Sequence, residues 1–446
     1  MFERNAFYLL QKWAEKKKRK PLILRGARQV GKTTLVQSFS KLFDTYLYLN
    51  LEDEEAAALF ETTRDMDVLL SSIYLYCRQP RVEGKTLLFI DEIQNSLKAV
   101  AKLRYFYEQV PFIHVIGAGS LLESLIGTHI SFPVGRVEYM AIRPCIFNEF
   151  LGAVGETELE KALCATDIPE PMHAKTMDLF NRYTFIGGMP EVVAHYAENR
   201  DLVAVNGIYE TLLSGYKDDV EKYSRSEVMT HIIRYILEEG WTFAGRRIAL
   251  GGFAGSSYKA REMGEAFRTL EKTMLLELTY PTTHTNLPAY PDLKRSPKLF
   301  WLDAGLVNYS AGIQKEIFGA KDIIDVWKGA IAEQIVAQEL LASDNRVSSK
   351  RNFWVRDKQG SDAEVDFVVQ YDSKMIPVEV KSGHNSKLKS LHLFMDTSNQ
   401  TTAIRIWSNP LSVDKVTTQQ GKTFDLINVP FYYSGFLEQL ITKMVY

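Results

Sequence analysis

Nine residues constrain this chain more than any others: Gly26-Ala27-Arg28-Gln29-Val30-Gly31-Lys32-Thr33-Thr34. They match G-x-x-x-x-G-K-[ST], a loop whose amides cradle a β-phosphate. The context fits, with the apolar run Leu22-Ile23-Leu24 before the loop and a helical stretch opening near Lys32. Glycines let the backbone curl so that successive N–H groups face one anion, and the following helix N-terminus adds partial positive charge. On this reading Lys32 reaches the β- and γ-phosphates and Thr33 offers a hydroxyl to Mg²⁺.

A second segment, Leu87-Leu88-Phe89-Ile90-Asp91-Glu92, is four apolar residues ending in two carboxylates. A buried parallel strand there would deliver Asp91 to the phosphate pocket, where it would hold Mg²⁺ through water. Glu92 would orient or deprotonate the attacking water. Further on, Phe112–Ile116 runs into Gly117-Ala118-Gly119-Ser120, which makes Ser120 a candidate γ-phosphate sensor, with a helix N-cap as its alternative. Arg136 and Arg143 are candidates for a charge-stabilising arginine, although surface pairing suits either one taken singly.

The surrounding pattern is α/β. Leu22–Leu24, Tyr46–Leu49, Leu87–Ile90 and Ile113–Ile116 read as buried strands separated by helical stretches such as Leu97–Gln109. That alternation predicts a parallel sheet with helices on both faces. At 446 residues the chain has room for about three domains. We expect boundaries of 1–151, 152–297 and 298–446. The middle region is helix-rich and punctuated by Gly187-Gly188-Met189-Pro190 and by Gly251–Gly255, with Ser256-Ser257 as a candidate cap. Its helices Glu227–Leu237 and Tyr258–Thr273, followed by a strand at Leu275–Tyr280, resemble a winged helix. Lys259, Arg261, Arg268, Lys272, Arg246 and Arg247 could meet DNA phosphates, or could form a solvated face, since Glu262, Glu265 and Glu271 interleave.

In the last region a helix is predicted over Val326–Leu341. Ala363–Gln370 and Met375–Lys381 alternate with period two around Tyr371-Asp372-Ser373-Lys374, a hairpin. With Asp372 and Ser373 as its loop, Asp366 opposes Glu379 and Glu364 opposes Lys381. Val365, Phe367, Val369, Val378 and Val380 then share the core face. Opposed carboxylates repel unless Lys381 or a divalent cation intervenes. Asp366, Glu379 and Lys381, with Glu333 on the preceding helix, form an Asp…Glu-x-Lys nuclease constellation, in which the acids would bind Mg²⁺ and Lys381 would polarise water.

Charge is nearly balanced, at 53 Lys plus Arg against 55 Asp plus Glu, so nucleic-acid binding would need local patches. Three scattered cysteines suit a reducing compartment. The first cationic cluster follows a brief apolar stretch, the reverse of an export signal, and no apolar run approaches the roughly 18 residues of a membrane span. A cytoplasmic protein with no membrane association is expected.

Gly26–Thr34, Leu87–Gln94, Gly135–Phe150 and Gly187–Glu191 together resemble the AAA-type ATPases of bacteria and archaea that carry an uncharacterised, restriction-endonuclease-like C-terminal domain. The resemblance implies a P-loop NTPase fold, then a helical and winged-helix-like region, then an α/β endonuclease-like domain. It implies ATP and Mg²⁺ as ligands, with Lys32, Thr33, Asp91 and Glu92 at the ATP-handling positions and Arg136 at a recurring arginine. It implies a ring-forming homo-oligomer in which one subunit's arginine completes a neighbour's site. Expected function is ATP hydrolysis coupled to conformational change acting on DNA. The alternatives are an ATP-gated nuclease and a nucleotide-dependent switch whose C-terminal fold docks a protein partner.

Overall fold

The computed structural model describes residues 2–62, 65–119, 133, 135–220, 224, 226–313, 329–358, 362–381 and 388–445. Its first sheet is all parallel, in the order β2-β3-β4-β1-β5. The strands are β1 (Leu22–Arg25), β2 (Thr45–Asn50), β3 (Thr86–Asp91), β4 (His114–Gly119) and β5 (Glu138–Ala141). Alternation divides β3 between two cores. Leu87 and Phe89 pack with the helices Asn5–Ala14 and Lys32–Ser40, and Leu88 and Ile90 pack with Leu97–Gln109 on the other face. The expected doubly covered P-loop sheet is therefore present. The predicted helix Leu97–Gln109 has those same bounds, with the Ser96 side chain accepting from the Ala99 N–H.

The middle region packs helices around Phe147, Phe150, Phe180 and Tyr183. The Gly187-Gly188 break is a packing requirement. The Cys145 N–H donates to the Gly188 carbonyl at 2.7 Å, and a Cβ on Gly188 would lie 2.1 Å from the Cys145 oxygen. The helices Glu227–Glu239 and Ala260–Lys272 precede an antiparallel sheet in the order β6-β9-β7, formed by β6 (Arg246–Arg247), β7 (Leu276–Thr279) and β9 (Lys298–Trp301). Ser256 and Ser257 do not cap the second helix. It starts at Ala260, where the Glu262 carboxylate accepts from the Lys259 N–H at 3.1 Å.

The third sheet, mixed, runs β14-β15-β13-β12-β11-β10-β8. It comprises β8 (Pro281–Thr282), β10 (Asn352–Val355), β11 (Glu364–Tyr371), β12 (Lys374–Val380), β13 (Thr402–Trp407), β14 (Ser412–Thr417) and β15 (Thr423–Pro430). Two short strands trade places across the expected 297/298 boundary: β8 joins the C-terminal sheet, whereas β9 completes the sheet of the middle region. The helix expected over Val326–Leu341 spans Ala330–Ala342, and 326–328 lie outside the described residues.

The hairpin register is Tyr371↔Lys374 through Phe367↔Val378. Asp372 adopts the left-handed conformation at φ 52°, as a two-residue turn requires. One residue departs from the expected face. The pairing of β11 with β10 slips between Asn352 and Trp354, and Val365 packs with Trp354 and Phe394 in a second core, apart from Phe367 and Val378. Among the described residues, no helix is long and apolar enough to cross a membrane.

Candidate nucleotide site and the C-terminal charge cluster

The phosphate loop sits at the C-terminal edge of the parallel sheet. Its first glycine is dictated by crowding, because a Cβ on Gly26 would lie 2.2 Å from the Ile142 carbonyl oxygen. Gln29 and Gly31 take positive φ, at 62° and 87°, which produces the curl. Lys32 opens the helix and is buried, donating from Nζ to the Gly26 and Ala27 carbonyls at 3.0 and 2.8 Å. Burial pushes its pKa down to about 8, against the pull of Glu92 and Asp91.

Thr33 and Asp91, on different elements, meet directly: the Thr33 hydroxyl donates to Asp91 Oδ2 at 2.7 Å. Asp91 ends β3 and is buried, which raises its pKa. A hydroxyl and a carboxylate are hard oxygen donors of the kind Mg²⁺ takes, so the pair fits that ion. Glu92 follows at φ 49°, a left-handed conformation costing about 1–3 kcal/mol for a residue with a side chain. Its carboxylate is held by the Gln94 side-chain amide in a short hydrogen bond.

A cavity of about 1260 Å³ adjoins the loop, bordered by Lys32, Thr33, Thr34, Glu92, Pro190 and Glu191. Ala27 and Val30 are buried beneath it. The first residues of the chain form another wall. Arg4 donates to the Val30 carbonyl at 3.2 Å and to the Arg143 carbonyl at 2.7 Å, and pairs with Glu149 at 3.0 Å. From the middle region, Asp219 pairs with Arg28 Nε at 2.7 Å, and the Tyr216 hydroxyl donates to the Arg28 carbonyl at 3.2 Å. Arg4, Tyr216, Asp219 and Gln94 escaped sequence reasoning. Only Gln94 had a local cue, two residues after Glu92.

The other candidates divide. Ser120 lies outside the described residues. Arg136 precedes β5 at the N-terminal edge of the sheet, opposite the loop, is half-buried, and pairs with Glu108 at 3.1 Å. Arg143 is buried away from Lys32. It donates to the carbonyls of Asp344 and Arg346 and so ties the first domain to the C-terminal one.

The C-terminal acids converge on a lysine the sequence reading did not single out. Lys298, on β9, is 2 % exposed and reaches Glu333 and Glu364, each at 2.7 Å, and Asp366 at 3.4 Å. Asp366 also accepts from the Val380 N–H at 2.8 Å. Glu379 pairs with Lys381 at 2.7 Å. Burial, and then the charge of Asp366, pushes Glu333 and Glu379 each up to about 8. The expected metal ligands Glu333, Asp366 and Glu379 therefore do not form an open cage. The Lys298 ammonium fills the space between Glu333, Glu364 and Asp366, and among the described residues no group of three or more His, Cys, Asp or Glu is placed to hold a metal ion. Of the opposed carboxylates, Asp366 takes Lys298, whereas Glu379 takes Lys381, the lysine expected to offset the pair.

Residues 18–151 match a family described as an AAA domain. Residues 177–317 and 328–432 match two domains of unknown function, DUF8612 and DUF4143. No curated protein matches the chain. Among solved structures, a Walker-type ATPase of Pyrococcus abyssi is 14% identical, covering 70% of this chain and 96% of its own, with a TM-score of 0.42. The Aeropyrum pernix ORC1 protein in complex with DNA is 12% identical, covering 70% and 93%, with a TM-score of 0.26. The Thermotoga maritima RuvB Holliday junction branch migration motor is 18% identical, covering 62% and 90%, with a TM-score of 0.28. The family match and the five-stranded parallel sheet agree that the chain carries an AAA-type P-loop domain over residues 18–151.

Proposed function

We propose that this chain binds ATP with Mg²⁺ at the Gly26–Thr34 loop, hydrolyses it, and uses the resulting conformational change to act on DNA. One observation carries the reading: Lys32, Thr33, Asp91 and Glu92 meet at one sheet edge beside a large open cavity. Lys32 exchanges two neutral carbonyl acceptors for phosphate oxygens, whose negative charge favours its ammonium form. Thr33 and Asp91 would hold Mg²⁺, which would supply positive charge against the phosphates. Glu92, oriented by Gln94, aligns the attacking water and accepts its proton.

Two features support coupling and a DNA partner. Arg28 is bound by Tyr216 and Asp219 at the end of the helix Asn206–Asp218, so movement of the loop is passed to the middle region. There, Lys259 at the cap and Arg261, Arg268 and Lys272 on the helix Ala260–Lys272 are exposed, and the helix is buried through Met263, Phe267 and Leu270. Arg246 and Arg247 are exposed nearby. Such a face would bind phosphates in a salt-dependent way. Arg136 lies at the edge of its own sheet away from the phosphate loop, which supports a role toward a neighbouring copy in a ring over one in its own site.

The test is ATP turnover with Mg²⁺, measured alone and with duplex, single-stranded and branched DNA, with oligomer mass followed in parallel. Turnover lost in Lys32→Ala and stimulated by at least one DNA form is expected. Lack of any turnover would sink the hydrolysis reading, and lack of salt-dependent DNA binding would sink the DNA reading alone.

A further inference from the structure

A second cavity, of about 310 Å³, lies where the three regions meet and shares no lining residue with the Lys32 cavity. Six cationic side chains border it: Arg25, Arg143, Arg268, Lys272, Lys350 and Arg351. Among the described residues only two carboxylates, Glu271 and Glu277, line it with them, and each already has a partner. Glu277 takes Arg351 Nη2 at 2.7 Å and Glu271 takes Lys350 at 3.3 Å.

Two guanidinium nitrogens at this cavity, Arg143 Nε and Arg351 Nη1, are buried without a hydrogen-bond partner among the described residues. A buried donor left unmade costs about 1–3 kcal/mol, more on a charged group. The other contacts of Arg143 go to the carbonyls of Asp344 and Arg346, which accept its protons without cancelling its charge. Burial, with the charge of Arg351 beside it, pushes its pKa down to about 10 against the pull of Glu277 and Asp344. The remaining wall is apolar and includes Leu276, Phe300, Trp301 and Leu341.

We propose that this cavity binds a phosphorylated small molecule of about mononucleotide size, its phosphate on Arg143 and Arg351 and its body against Phe300 and Trp301. Guanidinium groups present paired donors that match phosphate oxygens, and Arg is the usual residue for that recognition. A planar base suits an aromatic wall. Arg25, on the same cavity, ends β1 and immediately precedes Gly26, so an occupant touches the strand that carries the phosphate loop. The inference does not depend on hydrolysis at Lys32.

Calorimetric titration of the full chain with AMP, inorganic phosphate and adenosine tests it. AMP lacks the β-phosphate that the Gly26–Thr34 loop grips, so its binding reports this cavity. We expect saturable AMP binding that is unchanged in Lys32→Ala and at least tenfold weaker in Arg351→Gln. The exposed Arg268→Glu substitution, which leaves the buried pairs intact, weakens it to a similar degree. Adenosine and inorganic phosphate each bind at least tenfold more weakly than AMP. Absence of AMP binding, adenosine binding as tightly as AMP, inorganic phosphate matching AMP, or loss in Lys32→Ala with Arg268→Glu unaffected would each overturn the proposal.

Discussion

Arg28, inside the phosphate loop, is bound through its side chain by Asp219 at 2.7 Å and through its carbonyl by Tyr216 at 3.2 Å. Both partners come from the middle region, nearly two hundred residues along the chain. The phosphate loop is therefore fastened to a separate helical layer. Any change in Arg28 on binding has to be accommodated by the helix Asn206–Asp218.

Asp219→Asn keeps the shape of this contact and removes its charge. A hydrogen bond to a charged group contributes about 1.5–3 kcal/mol, and Arg28 is partly exposed, so screening reduces the share seen. The Michaelis constant for ATP should rise roughly tenfold, and Tyr216→Phe should give a smaller rise. Steady-state ATPase assays over a range of ATP concentrations check both. Unaltered constants would mean that the contact is passive.

Glu92→Gln should leave ATP binding intact and lower turnover by about 10²–10⁴-fold, the usual contribution of a positioned general base. Gln94→Ala should fall in the same direction by a smaller factor, because Glu92 loses the amide that orients it. Nucleotide affinity and single-turnover hydrolysis, measured separately, distinguish the two effects. A Gln94 variant with reduced affinity and normal turnover would assign Gln94 to binding.

The parts of this structure legible in the sequence are those fixed by neighbours along the chain. The phosphate loop, the strand ending at Asp91, the helix Leu97–Gln109 and the hairpin at Asp372-Ser373 each carry a local period or turn signal. Arg4 carries none, since its partners Val30, Arg143 and Glu149 lie 26, 139 and 145 residues away. Lys298 follows Arg295-Ser296-Pro297 and reads as loop surface; only tertiary packing carries it to Glu333, Glu364 and Asp366. Strands of two residues, such as β6 and β8, are too short to show alternation, which is why the exchange of β8 and β9 between sheets was invisible. Sequence pattern gathers acids, but it does not reveal a cation arriving from a distant strand.

Buried acids make stability depend on pH. Glu339 is fully buried, with Oε1 accepting from the Tyr183 hydroxyl at 2.6 Å and the Phe147 N–H at 3.1 Å, while Oε2 has no partner among the described residues. Burial pushes its pKa up to about 8 from an ordinary 4.5. Between those values the folded chain holds a proton that the unfolded chain has released, so stability falls as pH rises from about 4.5 to 8 and levels off beyond. Glu333 and Glu379 act in the same direction. Glu339→Gln should flatten this slope by a few kcal/mol, on the order expected for a shift of this size. Urea unfolding at pH 5.5 and pH 8 measures it, and equal slopes in the two proteins would refute the assignment.

Lys298 gives the strongest stability prediction. Its ammonium is nearly inaccessible and touches three carboxylates, so Lys298→Met leaves those acids crowded with no central cation. Removing one member of a buried ion cluster costs about 3–5 kcal/mol. The loss should be largest near pH 8, where the acids are most ionised, and smaller near pH 5, where the buried acids can take up protons. Adding Glu333→Gln to Lys298→Met should recover part of the loss, since it removes one of the uncompensated charges. If a divalent cation instead of Lys298 balanced these acids, Mg²⁺ would stabilise the wild-type chain at the C-terminal domain and Lys298→Met would cost little. Chemical unfolding of both variants, with and without Mg²⁺ and in the Lys32→Ala background to silence the nucleotide site, separates the two arrangements.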